Sequence, residues 1–495
     1  MKKQIRLISL LLSLSLLISI FAACDSGNES ESDTAITTEV ITETATEAIT
    51  EATPDAIEKK DYDTEFYLSI LSDVNPPDYY WVEESDNSAM SEAIFARQQK
   101  LLDWLGVEIV NVGEGLNHTT YAAPFKTAVK NKDGSVDTLL SHSNTGVAGI
   151  VSEGYLRAFD NMPGIDLGSS CWNLDFMDSL AIADRHFLGF SDFNILYTNV
   201  VAFNKTMMEQ YADAIDTPLY DRARNYTWTF DKMIEVVNLV YIDTTADGKT
   251  TDDTFGLAGR QWVPWIGFMQ ACGIKLVDVD ESGAYKISVM NEQNKEKTAA
   301  LVDLLTELTT SNNAYLDYMT TSVTSVPFDS GRVLLFLEST YGLVNFLNYD
   351  ISFGVLPYPM WDEAQKDTVG YQSLQWGGYL CIPTYLENEL MVGETLEVLA
   401  FYSDEVKITF YEKMLGKQVA DVPDDKQMLD IIWESVCTDF GQTFSDEAAR
   451  ILFILPTVTW PDSGQNLASY MASAERSGNS SLAKFVKKVE KNCQS

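Results

Sequence analysis

Three histidines, six cysteines, 73 carboxylates, 10 tryptophans and 23 tyrosines are the side chains with which this sequence could do chemistry. Catalysis needs such groups at particular spacings. The chain has no Gly-x-Ser-x-Gly elbow, no His-Glu-x-x-His helix and no Cys/His order of a known thiol enzyme. His118, His142 and His186 are too far apart to read as a set of metal ligands. The stretch from Asp243 to Thr254 has Asp243, Thr245, Asp247 and Gly248 where a calcium loop begins. Its twelfth position is Thr254, however, where a bidentate Glu is required. An Asp-Gly β-turn is the better reading. Gly248-Lys249-Thr250 is not a phosphate loop, because the required Gly five residues earlier is Asp243. No metal and no cofactor is expected. Two carboxylates flanking a glycosidic bond have no linear signature, so a secreted glycosidase stays open as an alternative. The aromatic side chains suit binding: a flat ring covers an apolar ligand face while fixed polar groups hold its edges.

The elements that position these residues follow a secretory signal. Lys2, Lys3 and Arg6 precede an apolar run, Leu7–Ile20, which ends at Ala22-Ala23 and then Cys24. The run is short for a permanent span. Cys24 directly after Ala-Ala resembles the bacterial lipoprotein signal, in which that Cys carries the lipid; Phe21 departs from it where Leu is usual. An ordinary signal peptide containing a Cys is the plainer alternative. Residues 24–60 are mostly Ser, Thr, Glu and Ala without an aromatic side chain. Such a stretch cannot bury enough apolar surface to fold, and reads as an extended, self-repelling tether. The rest has the length of two lobes rather than one core. A formal charge of −39 argues against nucleic acid. Cys171, Cys272, Cys381, Cys437 and Cys493 are odd in number and unpaired in spacing, so they read as small apolar residues.

Along the mature chain the pattern alternates between helix and strand. Tyr62–Leu71 reads as a strand, Ser88–Leu105 as a helix ended by Gly106, and Val107–Val112 as the next strand. Tyr121–Val129 reads as a helix, Asp137–Leu140 as a strand and 141–149 as a polar loop with glycines. Further on, Phe230–Val240 and Asn294–Leu308 read as helices. Val333–Leu337, Phe353–Leu356 and Gly378–Ile382 read as strands, and helix dominates from Glu387. This is an α/β chain.

Four stretches in order resemble the extracellular solute-binding proteins of the family 1, sugar-importer type. They are VVAFNK (200–205) with YTWTFDK (226–232), DTTADGKTTDDTFG (243–256), PFDSGRVLLFLESTY (327–341), and FGVLPYP (353–359) followed by Gly377-Gly378. The resemblance implies a two-lobe periplasmic-binding-protein-like fold of class II with the ligand in an interlobe cleft. Its lobes are expected at 61–190 and 326–375 for the first, and 191–325 and 376–495 for the second. It implies a carbohydrate-binding component of an ABC importer, not an enzyme. It also implies delivery to permease subunits served by a separate ATPase, lipid anchoring on Cys24 at the extracytoplasmic face of the membrane, and a monomer. Carried over by position, the ligand-contacting residues are Ser143, Asn144, Asp192, Asn194, Trp262, Glu338, Tyr341 and Trp376, with Trp172 and Trp460 as looser candidates. Trp228, Trp265 and Phe268 read as packing residues. A protein that captures peptides or other solutes with the same fold is the remaining alternative.

Overall fold

Strand pairing organises the computed structural model around two mixed sheets. Residues 54, 57–72, 77–194, 198–260, 262–317, 327–344, 350–368, 371–372, 378–414, 423–461 and 463–492 are described, all within one unit, Pro54–Ser495. Among the described residues eleven strands build the sheets: β1 (Thr64–Ile70), β2 (Val107–Asn111), β3 (Thr138–Leu140), β4 (Leu156–Arg157), β5 (Asn199–Asn204), β6 (Thr254–Arg260), β7 (Ala314–Asp317), β8 (Val333–Ser339), β9 (Phe353–Leu356), β10 (Leu380–Pro383) and a short strand, Tyr241–Ile242, that pairs with β6 off the main path. The first sheet runs β2-β1-β3-β10-β4 and the second β7-β6-β8-β5-β9.

In the first sheet β1 is parallel to β2 and to β3, so their carboxyl ends share one edge. In the second, β7, β6 and β8 are parallel, while β5 runs against β8 with Asn199 opposite Ser339. The start of β5 therefore lies beside the end of β8. Both sheets are buried where the sequence is β-branched and apolar. Phe66, Leu68 and Ile70 of β1 are fully buried, and every residue of β8 is buried, the signature of a strand covered on both faces.

Helix α1 (Ala89–Leu105) packs on β2. The Ser88 side chain accepts from the Ser91 N–H, and Gly106 ends the helix at φ 65°. Arg97 of α1 is buried, donating to the Tyr80 carbonyl at 2.7 Å and to Ser403 Oγ at 2.9 Å, with its guanidinium 4.5 Å from the Phe193 ring. Burial brings this guanidinium down to about 9. These contacts fix the backbone beside Tyr79. Further helices that matter below are α2 (Trp262–Ala271), α3 (Glu389–Phe401), α4 (Asp404–Ile408) and α5 (Pro423–Glu434).

Two boundaries differ from expectation. Residues 326–375 carry β8 and β9, which pair within the second sheet, whereas β10, beyond 375, returns to the first with Leu380 opposite Leu140. β8, apolar from Val333 to Leu337, inserts between β6 and β5, and β10 pairs antiparallel with β3. The tether also ends before residue 60. Ile57 is buried, its carbonyl accepting from the Trp104 indole at 3.0 Å, and Lys60 binds Glu394 of α3 at 2.7 Å. One apolar side chain with a basic pair behind it suffices to seat this segment on α1 and α3.

Candidate functional site

The loop after β3 is held by a histidine. His142, buried, accepts at Nδ1 from the Asn144 N–H at 3.1 Å and the Thr145 N–H at 2.9 Å. Tyr121 donates its hydroxyl to the Thr145 carbonyl at 2.7 Å, and the Ser141 N–H donates to the Tyr379 carbonyl at 2.9 Å. Ser143 is buried and Asn144 half-buried, its Oδ1 accepting from Thr145 Oγ1 at 3.2 Å. The His118 ring lies 5.5 Å from that of His142, bringing the neighbouring loop against this one. Gly113, which starts that neighbouring loop, is required: a Cβ there would fall 2.2 Å from the Ile70 carbonyl oxygen.

The edge of the second sheet is built from β8 and the start of β5. Thr198 and Thr340 exchange two bonds, Thr340 N–H to the Thr198 carbonyl at 2.9 Å and Thr198 N–H to Thr340 Oγ1 at 3.2 Å. Glu338 is buried, accepting at Oε1 from the N–H of Ser339 at 2.8 Å and from its hydroxyl at 3.1 Å. Its carboxyl lies under Gly342, where a Cβ would come within 2.4 Å of Glu338 Cδ. Ser339 in turn accepts from the Gly342 N–H at 2.9 Å, turning the chain so that Tyr341 stands out, 42% exposed. Asn199, opposite Ser339, is buried, and neither Oδ1 nor Nδ2 has a hydrogen-bond partner among the described residues.

One aromatic contact joins the two edges. Tyr79, in the segment after β1, meets Tyr341 edge-on at 6.3 Å and Phe410 at 5.7 Å. Burial, with Tyr341 alongside, pushes the Tyr79 phenol up to about 12. A surface with exposed ring area flanked by fixed hydroxyl, amide and carboxylate groups can cover an apolar face and bind polar edges at once.

The structure thus brings Ser143 and Asn144 to the first edge, and Glu338 and Tyr341 to the second. Trp262 opens α2 directly beyond the carboxyl end of β6. Asp192 and Asn194 are engaged elsewhere. Asp192 accepts from Lys407 at 2.9 Å; burial raises its carboxyl and Lys407 opposes the shift. Asn194 accepts from the Ser191 N–H at 2.9 Å and donates to the Gly378 carbonyl at 2.7 Å, tying a turn to the approach of β10. Trp376 and Cys24 lie outside the described residues. Trp172 is buried, donating to Glu397 at 2.7 Å, and Trp460 is half-buried. Trp228 and Trp265 are core residues as expected, donating to the Pro357 carbonyl and to Thr459 Oγ1. Sequence reasoning missed Tyr79, His142 and Asn199. Among the described residues no group of three or more His, Cys, Asp or Glu side chains is placed to hold a metal.

No protein-family model and no curated protein matches the sequence. Solved structures match the fold. One is the GacH receptor of Streptomyces glaucescens GLA.O, solved unliganded and in complex with acarbose and an acarbose homolog. It is 15% identical with a TM-score of 0.50, and the match covers 87% of this chain and 98% of that one. Another is the ABC substrate-binding protein Lmo0181 from Listeria monocytogenes in complex with cycloalternan, 12% identical with a TM-score of 0.48, covering 86% and 98%. At this identity the likeness to the GacH receptor establishes the fold: two α/β lobes of the periplasmic-binding-protein type, the architecture that the sequence motifs imply.

Proposed function

We propose that this chain is the substrate-binding component of an ABC importer, which captures an oligosaccharide between its lobes and hands it to membrane permease subunits. The observation that carries the reading is the contact between Tyr79 and Tyr341, which draws an exposed ring from the second sheet onto a buried one from the first, beside the fixed polar loop at 141–145. A sugar has an apolar C–H face for such rings and hydroxyls for Ser143, Asn144 and Glu338. The fold shared with a receptor solved with acarbose supports the same reading. Closure of the lobes would be a hinge motion about the crossover segments. Binding without turnover fits a chain whose sequence has none of the catalytic spacings sought above. The lipid on Cys24 and the tether hold the protein at the outer face of the cell membrane, within reach of the permease.

Intrinsic tryptophan fluorescence tests this. The secreted protein is titrated with a panel of oligosaccharides and, separately, of peptides, and the sugar is analysed afterwards. A saturable response to one oligosaccharide that is recovered intact supports the proposal. Cleavage of the sugar replaces it with a glycosidase, and a response to peptides alone replaces the ligand class. Incorporation of labelled palmitate that is lost in Cys24→Ala tests the anchor.

A further inference from the structure

The last described helix, Leu467–Asn492, is amphipathic. Leu482, Phe485 and Val489 are buried, and the opposite side carries Lys484, Lys487, Lys488 and Lys491, all exposed. Spacings of three and four residues set these lysines on one face, about 10 Å from first to last. A second helix, Ala122–Asn131, brings Lys126 and Lys130 to the same place. The two helices meet at Glu153. Its carboxylate takes Lys126 at 2.9 Å and Lys488 at 3.9 Å, and these two with Lys130 hold it below its ordinary value against burial. Lys126 and Lys130 also lie 5.6 and 5.4 Å from the centre of the Tyr155 ring. Asn492 fixes the helix end, donating to the Ser152 carbonyl at 2.9 Å. Two further carboxylates stand at the margins. Glu490 lies near enough to Tyr285 to add to the burial that raises its phenol, and Glu447 accepts from the Ser481 hydroxyl at 2.8 Å.

We propose that this lysine face is a docking surface for an anionic phospholipid bilayer; the choice of a lipid surface rests on the anchored reading above. Six lysines against three carboxylates make a positive face on a chain of formal charge −39. A negative sheet repels the rest of such a surface, so the chain meets it through this face. Like charges three and four residues apart also cost helix stability. Although the chain has 73 carboxylates, only Glu490 stands at such a spacing from any of the four helix lysines. The helix dipole accounts for Lys491 in the last turn and not for Lys484 or Lys126. A row of ammonium groups on flexible stems meets many headgroups at once, where a single small anion would meet one or two of them. The start of the folded chain lies on the same side. Lys60 is bound to Glu394 of α3, and Glu389, in the first turn of α3, lines one cavity with Asn492. A lipid on Cys24 therefore leads into the fold beside this face.

The experiment is cosedimentation of the secreted protein carrying Cys24→Ala, which has no lipid of its own, with vesicles. One set holds equal phosphatidylglycerol and phosphatidylcholine, the other phosphatidylcholine alone. The expected result is binding to the first set only, strong at about 50 mM salt and at least about tenfold weaker at about 500 mM. Lys487→Gln with Lys491→Gln lowers the partition by about thirtyfold, as does Lys126→Gln with Lys130→Gln on the other helix. Lys232→Gln with Lys426→Gln changes the net charge equally, away from this face, and stays within about twofold of the parent. Binding to neither set, or equally to both, overturns the proposal, as does a control pair that falls as far as the two test pairs. Tighter binding to inorganic polyphosphate than to the vesicles gives the face to a soluble polyanion and also overturns it. If the vesicles fail while an oligosaccharide still saturates the cleft, the membrane face falls and the carrier reading stands. If the vesicles bind and no oligosaccharide does, the membrane face stands and the carrier reading falls.

Discussion

The loop at 141–145 and the strand edge at 338–342 face the same cleft in the proposed reading, yet they differ in what each leaves open to a ligand. On the first side His142 takes two backbone N–H groups, Tyr121 caps the Thr145 carbonyl, and Ser143 is buried within the result. On the second, Glu338, Ser339 and Thr340 are also bonded, but Tyr341 is exposed and the amide of Asn199 is buried without a partner at either atom among the described residues. A preformed side loses little entropy when a ligand arrives, whereas a side with unspent ring area and an unpaired amide has contacts left to gain. In that reading the first sheet supplies position and the second supplies affinity.

The largest effect is expected where the preformed side is cut. His142→Ala leaves two backbone N–H groups without their acceptor and empties a buried site, so urea unfolding should lose about 3 kcal/mol. Oligosaccharide affinity should fall with it, because Ser143 and Asn144 are no longer held. A loss confined to affinity, with stability intact, would show that the loop is ordered by other contacts. Tyr341→Ala probes the other side. Removing an exposed ring should leave stability within about 0.5 kcal/mol of the parent. It should cost about 2 kcal/mol of binding, roughly thirtyfold in Kd. Equal losses of stability in both variants would erase the contrast.

Much of this architecture is legible in the sequence where a local rule decides it. Ser88 and Gly106 bracket α1 because a side-chain acceptor and a left-handed residue are what helix ends require. The apolar run of β8 announces a buried strand. Tyr341 follows from the position of a motif after that run. What is not legible depends on contacts across long stretches of chain. The return of β10 to pair with β3 joins residues some 240 apart, and no local pattern marks it. Asp192 and Asn194 read as cleft residues from their place before β5, but Lys407 and the Gly378 carbonyl, both distant in sequence, claim them. The sequence offers His142 only as one of three scattered histidines, and its acceptor role shows once the loop is folded around it.

The first sheet also carries a titratable group that burial shifts. Asp137, at the start of β3, accepts from the Tyr67 N–H at 2.9 Å, and burial raises its carboxyl to about 6. In the unfolded chain such a carboxyl titrates near roughly 4. Between these values the folded protein holds a proton that the unfolded chain has released, so this residue's contribution falls as pH rises from about 4 to about 6 and is level above. Asp137→Asn keeps an acceptor and removes the titration. Its stability relative to the parent should therefore rise by about 1–2 kcal/mol between pH 4 and pH 7, read from urea midpoints. An unchanged difference across that range would mean that the carboxyl is solvated.

The smallest expected effect bears most directly on the second side. Asn199→Leu replaces a buried, unpaired amide with an apolar group of similar size. An unpaired buried amide costs free energy that an apolar replacement does not, so the ligand-free protein should gain about 1 kcal/mol. If the amide is a contact held in reserve for ligand, affinity should fall at the same time, so that stability and binding move in opposite directions in one variant. Urea unfolding and a fluorescence titration on the same preparation read both. A variant that loses stability would show that Asn199 is bonded in solution. The second side would then be as preformed as the first, and the thirtyfold expected of Tyr341→Ala would have to come from ring contact alone.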